Sequence, residues 1–339
     1  MFMPPASGRW PRRDFLGLLA GGSAASLLVA CAPSPLVTPG AVLSPMPAPT
    51  LDDRRRAAAT AVAGLAALAQ DCASLAVVDA GVHDWCAALA DQHRSHVQVL
   101  AQADPLGGVQ ADHTPLEPIE PGAVPTPSDL SSALALLARQ ETALATLLGP
   151  TVSDADQSPS MALLWISLRL AARVSADALA GGPGASLGPA HVIGGAVPAQ
   201  VEVGDLVMAR QVLLSHQRAL VFGLQALLGR IAFDDPVADT LGARLGEAMR
   251  ERDLTAASIS ASGDEPQAPS PGYELPGDEL DPAQREPIWG RLELAVLAGW
   301  VRVAAADAAE RESACEMALL QAGRARSHGE RLPYWPGWV

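Results

Sequence analysis

Lysine is missing from the 339 residues: all 23 basic side chains are arginine, set against 37 acids for a net charge of -14 at pH 7. No basic stripe with interleaved aromatics breaks this acidity, which argues against nucleic acid as a partner. Aromatics are scarce at 4%, and β-branched clusters are rare, while Ala and Leu dominate a hydrophobic content of 49%. That balance disfavours a sheet and predicts an all-α fold. No phosphate-cradling loop is present, and the Gly-rich stretch 181–195, which includes Gly184-Ala185-Ser186-Leu187-Gly188, has no strand before it, so nucleophile-elbow and nucleotide chemistry have no support. Glu-x-x-His, which a carboxylate-bridged di-iron bundle takes from two of its helices, is also absent.

Cysteine is limited to Cys31, Cys72, Cys86 and Cys315. If Gly81 turns a helical hairpin, Cys72 and Cys86 are offset along the axes by about 6 Å at roughly 1.5 Å per residue. Neighbouring axes are already about 8–10 Å apart, so the spacing favours buried free thiols over a bridge.

What is present begins at the N-terminus. Arg12 and Arg13, followed by Asp14-Phe15-Leu16, resemble a twin-arginine export signal, although Pro11 and Gly17 depart from that pattern and leave general secretion as the second route. The uncharged run from Leu16 to Ala30 is short of the roughly 20 residues that span a bilayer. It ends in Leu28-Val29-Ala30-Cys31, a lipobox with Cys31 as the residue to be lipidated and residues 1–31 as a signal peptide. Residues 32–50 hold six prolines and read as an extended tether. A chain so built is expected on the extracytoplasmic face of the cell membrane, with the membrane as a partner through its lipid.

From Thr50 onward, apolar residues alternate in steps of three and four and predict eight helices. Thr50 and Asp53 read as a capping box opening the first, which runs to about Asp79 with Leu65, Leu68, Cys72 and Leu75 on one stripe, and Gly81 stops it. The second carries Val82, Cys86, Leu89, His93, His96 and Leu100; after a crossover from Asp104 to Pro127, the third carries Leu130, Leu134, Leu137, Glu141, Leu144 and Leu148. A fourth spans about Ser158–Leu179. Later helices are expected at about Gly204–Ile231, Pro236–Ala261, Pro282–Ala305 and Asp307–Glu330, with a second crossover at Ser262–Asp281. The long connection falls between helices two and three in each half. Laying Leu137–Leu148 over Trp289–Trp300 puts Glu141 on Glu293, which points to an internal duplication. The expected organisation is therefore a four-helix bundle at 51–180, a linker at 181–203, a second bundle at 204–330 and an aromatic tail at 331–339.

One long crossover per bundle is the ferritin-like arrangement. From about Ala209 to His328 the chain resembles a ferritin-like domain of unknown function found in actinobacterial exported proteins. His216 with Phe222-Gly223, Tyr273-Leu275-Pro276, and Arg291-Leu292-Glu293 with Trp300 carry the resemblance. It implies tandem, degenerate ferritin-like bundles. Where that family commonly has a glutamate before the histidine, this chain has Ser215.

Candidate chemistry is confined to the inward stripes. His93, His96 and Glu141 could hold a single divalent metal, the oxidoreductase or metal-binding alternative; otherwise they are structural polar pairs. Aligning Leu89 with Leu245 sets His96 opposite Arg252, so Glu141 is expected to meet His96 or His93, and Glu293 to meet Arg252 or another inward arginine. No catalytic residue is assigned. Arg54-Arg55-Arg56 reads as a solvated helix face or a headgroup contact, and the tail Tyr334–Trp338 as an interfacial anchor, a partner motif or a cover for a bundle end. The function expected is a lipid-anchored binding or scaffolding module, with a protein partner and no assigned cofactor.

Overall fold

The computed structural model describes residues 50–338 except 78, 109–111, 123–124, 126, 182–201, 233 and 278–280. The export signal, Cys31 and the tether lie outside the described residues.

Eight α-helices account for the architecture, and no strand occurs among the described residues: α1 (Asp53–Leu75), α2 (Ala80–Ala101), α3 (Leu130–Val152), α4 (Pro159–Ala180), α5 (Leu206–Leu228), α6 (Val237–Ala261), α7 (Arg285–Ala306) and α8 (Arg311–Ser327). A short 3-10 turn, Pro282–Gln284, leads into α7. The all-α expectation holds. Starts are set by side chains that accept an orphaned amide: Asp52 from Arg55, Asp79 from Val82, Asp129 from Ser132, Ser158 from Met161 and Asp205 from Met208.

Three expected boundaries move. The cap of α1 is Asp52, not Thr50, and α1 already ends at Leu75 while α2 begins at Ala80, so Gly81 lies inside the first turn of α2. An Asp cap starts a helix more strongly than a lone Gly ends one, because glycine within a first turn costs only about 1 kcal/mol. In the second half, α8 starts at Arg311, not Asp307.

α1 packs on α2 and α3, and α3 on α4; likewise α5 packs on α6 and α7, and α7 on α8. One constant offset along the chain carries Leu68 onto Leu220, Leu89 onto Leu241, Leu137 onto Trp289, Glu141 onto Glu293 and Leu163 onto Cys315, and every one of these is buried. The same offset carries Pro159, the first residue of α4, onto Arg311, the first residue of α8.

The chain from Pro49 onward forms one compact unit. α4 contacts both α7 and α8. Two fork-to-fork ion pairs fasten that seam, Arg169 to Glu312 at 3.0 Å and Arg173 to Glu316 at 2.7 Å. Arg311, nearly buried, donates to the carbonyls of Val152 (2.8 Å) and Asp154 (2.9 Å) and to that of Ala304 (3.1 Å), so one guanidinium satisfies the ends of α3 and α7 together. At Gly299, an added Cβ would lie 2.9 Å from the Leu213 Cα, so only glycine allows α5 and α7 to approach this closely. α1 is apolar enough to cross a membrane by length and composition, but it is packed as a core helix.

Candidate functional site

The inward stripe of α2 is as expected: Val82, Cys86, Leu89, His93, His96 and Leu100 are all buried. Glu141 meets it from α3. His93 Nε2 donates to Glu141 Oε1 at 2.8 Å, with both side chains out of reach of water. His96 turns elsewhere. Its Nε2 donates to the carbonyl of Tyr334 at 2.7 Å, its ring packs edge-on against Trp335 at 4.5 Å, and burial, followed by the proximity of His93, pushes its pKa down to about 3. His96 is therefore a neutral donor, and the three ligand-type groups do not converge on one point. Among the described residues no cluster of three His, Cys, Asp or Glu side chains is placed to hold a metal.

The tail explains where His96 goes. Gln92 Nε2 also donates to the Tyr334 carbonyl (3.2 Å), and Trp335 Nε1 donates to Ser95 Oγ (3.2 Å). Trp335 stacks on Trp338 at 4.4 Å. Gly337 has φ +86°, and a Cβ there would sit 2.5 Å from Val301 and 3.2 Å from Leu163. The covering role expected for the tail is the one it has, and it covers side chains from α2, α4 and α7 together.

In the second half Glu293, fully buried, accepts from Arg244 twice, Nε to Oε1 at 2.8 Å and Nη2 to Oε2 at 3.0 Å, and from Trp289 Nε1 at 3.0 Å. Gln321 satisfies both its neighbours with its amide nitrogen 2.5 Å from Glu293 Oε2 and its oxygen 3.1 Å from Arg324 Nη1. Arg244 also reaches Glu251 at 3.2 Å, and Arg324 closes the circuit to Glu251 (3.1 Å) and Glu247 (2.8 Å). Burial alone would lower the Arg244 pKa, but the hydrogen bonds and charges of Glu293 and Glu251 outweigh it and leave it raised.

Arg252 is not the partner of Glu293. It lies towards the surface, paired with Asp253 at 2.7 Å. The Leu89–Leu245 alignment is one helical turn out of register: the offset that superposes the two glutamates carries Leu89 onto Leu241 and Gln92 onto Arg244. A slip of one turn leaves an amphipathic stripe almost unchanged, so the pattern alone did not discriminate. His216 is half-buried and stays apart from both networks; burial and the charge of Arg302 lower its pKa.

The arginine run is partnered within the fold, with Arg54 and Arg56 at the surface. Arg54 pairs with Asp154 at 2.6 Å and Arg56 with Glu117 at 2.6 Å. Arg55 is buried and donates to the carbonyls of Leu100 (2.6 Å) and Gln102, closing the C-terminal end of α2. Those contacts join residues far apart in sequence and carried no local signal. A shallow cleft of about 340 Å³ lies between α5, α6 and the second crossover, where Phe222 and Tyr273 stand 5.7 Å apart beside Arg218 and Arg252.

The class this geometry defines is an all-helical protein with buried ion-pair cores. More particularly, residues 209–339 match the family model described as a domain of unknown function (DUF4439). No curated protein and no solved structure matches the chain.

Proposed function

We propose that the protein is an exported lipoprotein, lipidated at Cys31 and held at the extracytoplasmic face of the cell membrane, whose two duplicated ferritin-like four-helix bundles act as a binding or scaffolding module. The observation that carries the scaffold reading is the Arg244–Glu293 pair. A metal-binding carboxylate must turn its lone pairs to a cation, and the guanidinium of this chain's own α6 already fills that place with two hydrogen bonds and a full positive charge. The first bundle is closed the same way, with Glu141 bound by His93 and His96 bound by the chain's own C-terminal segment. The constant offset between buried positions supports duplication, and the repeated order of helix contacts supports two bundles of one plan.

The anchor reading rests on Arg12, Arg13 and Leu28–Cys31, with residues 32–50 as the tether. Membrane fractionation of the Cys31→Ala variant tests it, and metal content of the exported protein tests the scaffold reading. A metal held by His93, His96 and Glu141 would require His96 to leave the Tyr334 carbonyl, and is the outcome that would replace it.

A further inference from the structure

Cys72 and Cys86 lie on the buried stripes of α1 and α2, each 0% exposed, in one packed cluster. Small side chains adjoin each thiol on its own helix: Ala69, Ala73 and Ala76 around Cys72, and Ala90 one turn beyond Cys86. The hairpin register brings the two together. α1 ends at Leu75 and α2 begins at Ala80, and His83 Nδ1 donates to the Ala73 carbonyl at 2.9 Å, pinning the first turn of α2 beside the last turn of α1. Cys72 is then three residues from its helix end and Cys86 six from its own, an axial offset of about 4.5 Å at 1.5 Å per residue. That is shorter than the offset a turn at Gly81 would impose.

Both thiols are free, and their side chains lie close enough for each to shift the other's pKa, Cys72 down and Cys86 up. Thiols so placed reach a sulfur–sulfur bond length near 2.05 Å by side-chain rotation. Cys315 has no such neighbour; it stands alone on α8, where burial pushes its pKa up to about 11.

We propose that Cys72 and Cys86 are a disulfide-forming pair that staples α1 to α2, closed by exchange with a disulfide oxidant. The Cys72 thiolate attacks one sulfur of that oxidant and releases its first thiol. The Cys86 thiolate then attacks the Cys72 sulfur and releases the second, so the two cysteines lose two electrons and two protons and the oxidant is reduced to two thiols. Neither sulfur meets solvent once α1 and α2 have closed, so the bond forms as the hairpin folds. A chain that folds after export meets the oxidising setting in time, and only the location of the reaction rests on the anchor reading.

The test is refolding of the full chain from denaturant in a glutathione redox buffer, followed by acid quench, alkylation and peptide mass analysis. We expect native, helical protein in which Cys72 and Cys86 are joined and Cys315 is alkylated. The joined form should melt about 5 °C above its reduced counterpart, as a closed loop of roughly 15 residues implies. That gap should vanish in Cys72→Ser and Cys86→Ser and persist in Cys315→Ser. Native protein with both cysteines alkylated, both capped by glutathione, or bridged only in molecules that fail to regain helicity, would overturn the proposal. Because the assay involves no membrane, its failure leaves the anchor reading untouched.

Discussion

Arg244 and Glu293 face each other through two parallel hydrogen bonds of 2.8 and 3.0 Å in the centre of the second half, where the carboxylate has no exposure to water. Taking two such charges out of water is costly, and each is tolerated only because the other is there. Arg244→Met leaves Glu293 buried without its counter-charge and is expected to destabilise by about 3–5 kcal/mol. Joint replacement of Arg244 and Glu293 by apolar residues should cost much less. Denaturant unfolding of the single and double variants checks this, and a single variant as stable as the parent would mean the pair is not buried in solution.

The neutral His96 makes acid the weak side of the stability profile. Its folded pKa of about 3 lies below the unfolded value near 6.5, so the unfolded chain takes up the proton first. Stability is therefore full above about pH 6.5 and falls as pH drops through the window towards about 3. Thermal melts across that range should show the loss, and His96→Gln should flatten it. A profile that is level between these limits would contradict a buried, neutral His96.

The tail should contribute to stability rather than hang free. Trp335 is buried against His96 and Trp338, and Trp335→Ala is expected to cost about 3–5 kcal/mol. Gly337→Ala tests the same docking differently, because its φ of +86° and the 2.5 Å approach to Val301 leave no room for a methyl group. Both variants should become more susceptible to carboxypeptidase than the parent. Equal resistance in all three would show that the tail does not dock as described.

Much of the core was legible because burial writes a period into the sequence. The stripes of α2 and α3 name their own inward residues, and Glu141 among leucines announces that a partner must be near. The partner's identity was less legible: His93 and His96 share a face, and only the return of Tyr334 decides that His93 takes the glutamate while His96 takes a main-chain carbonyl. Arg244 was missed because a slip of one turn preserves the stripe. Arg55 and Arg311, which close helix ends far away in sequence, left no local mark at all.

For the anchor, Cys31→Ala is expected to move the protein from the membrane fraction to the soluble exported fraction. Acyl chains contribute about 0.8 kcal/mol per buried methylene, and the short tether offers no replacement. Unchanged membrane association of the variant would remove the lipoprotein reading.

The most direct measurement is elemental analysis of the full-length protein isolated from its host cells without chelators. With Glu293 held by Arg244 and Glu141 by His93, we expect no transition metal in stoichiometric amount, and no change in metal content in Glu141→Gln or Glu293→Gln. One or more metal ions per chain, lost on either substitution, would contradict the claim that these carboxylates are structural ion-pair partners.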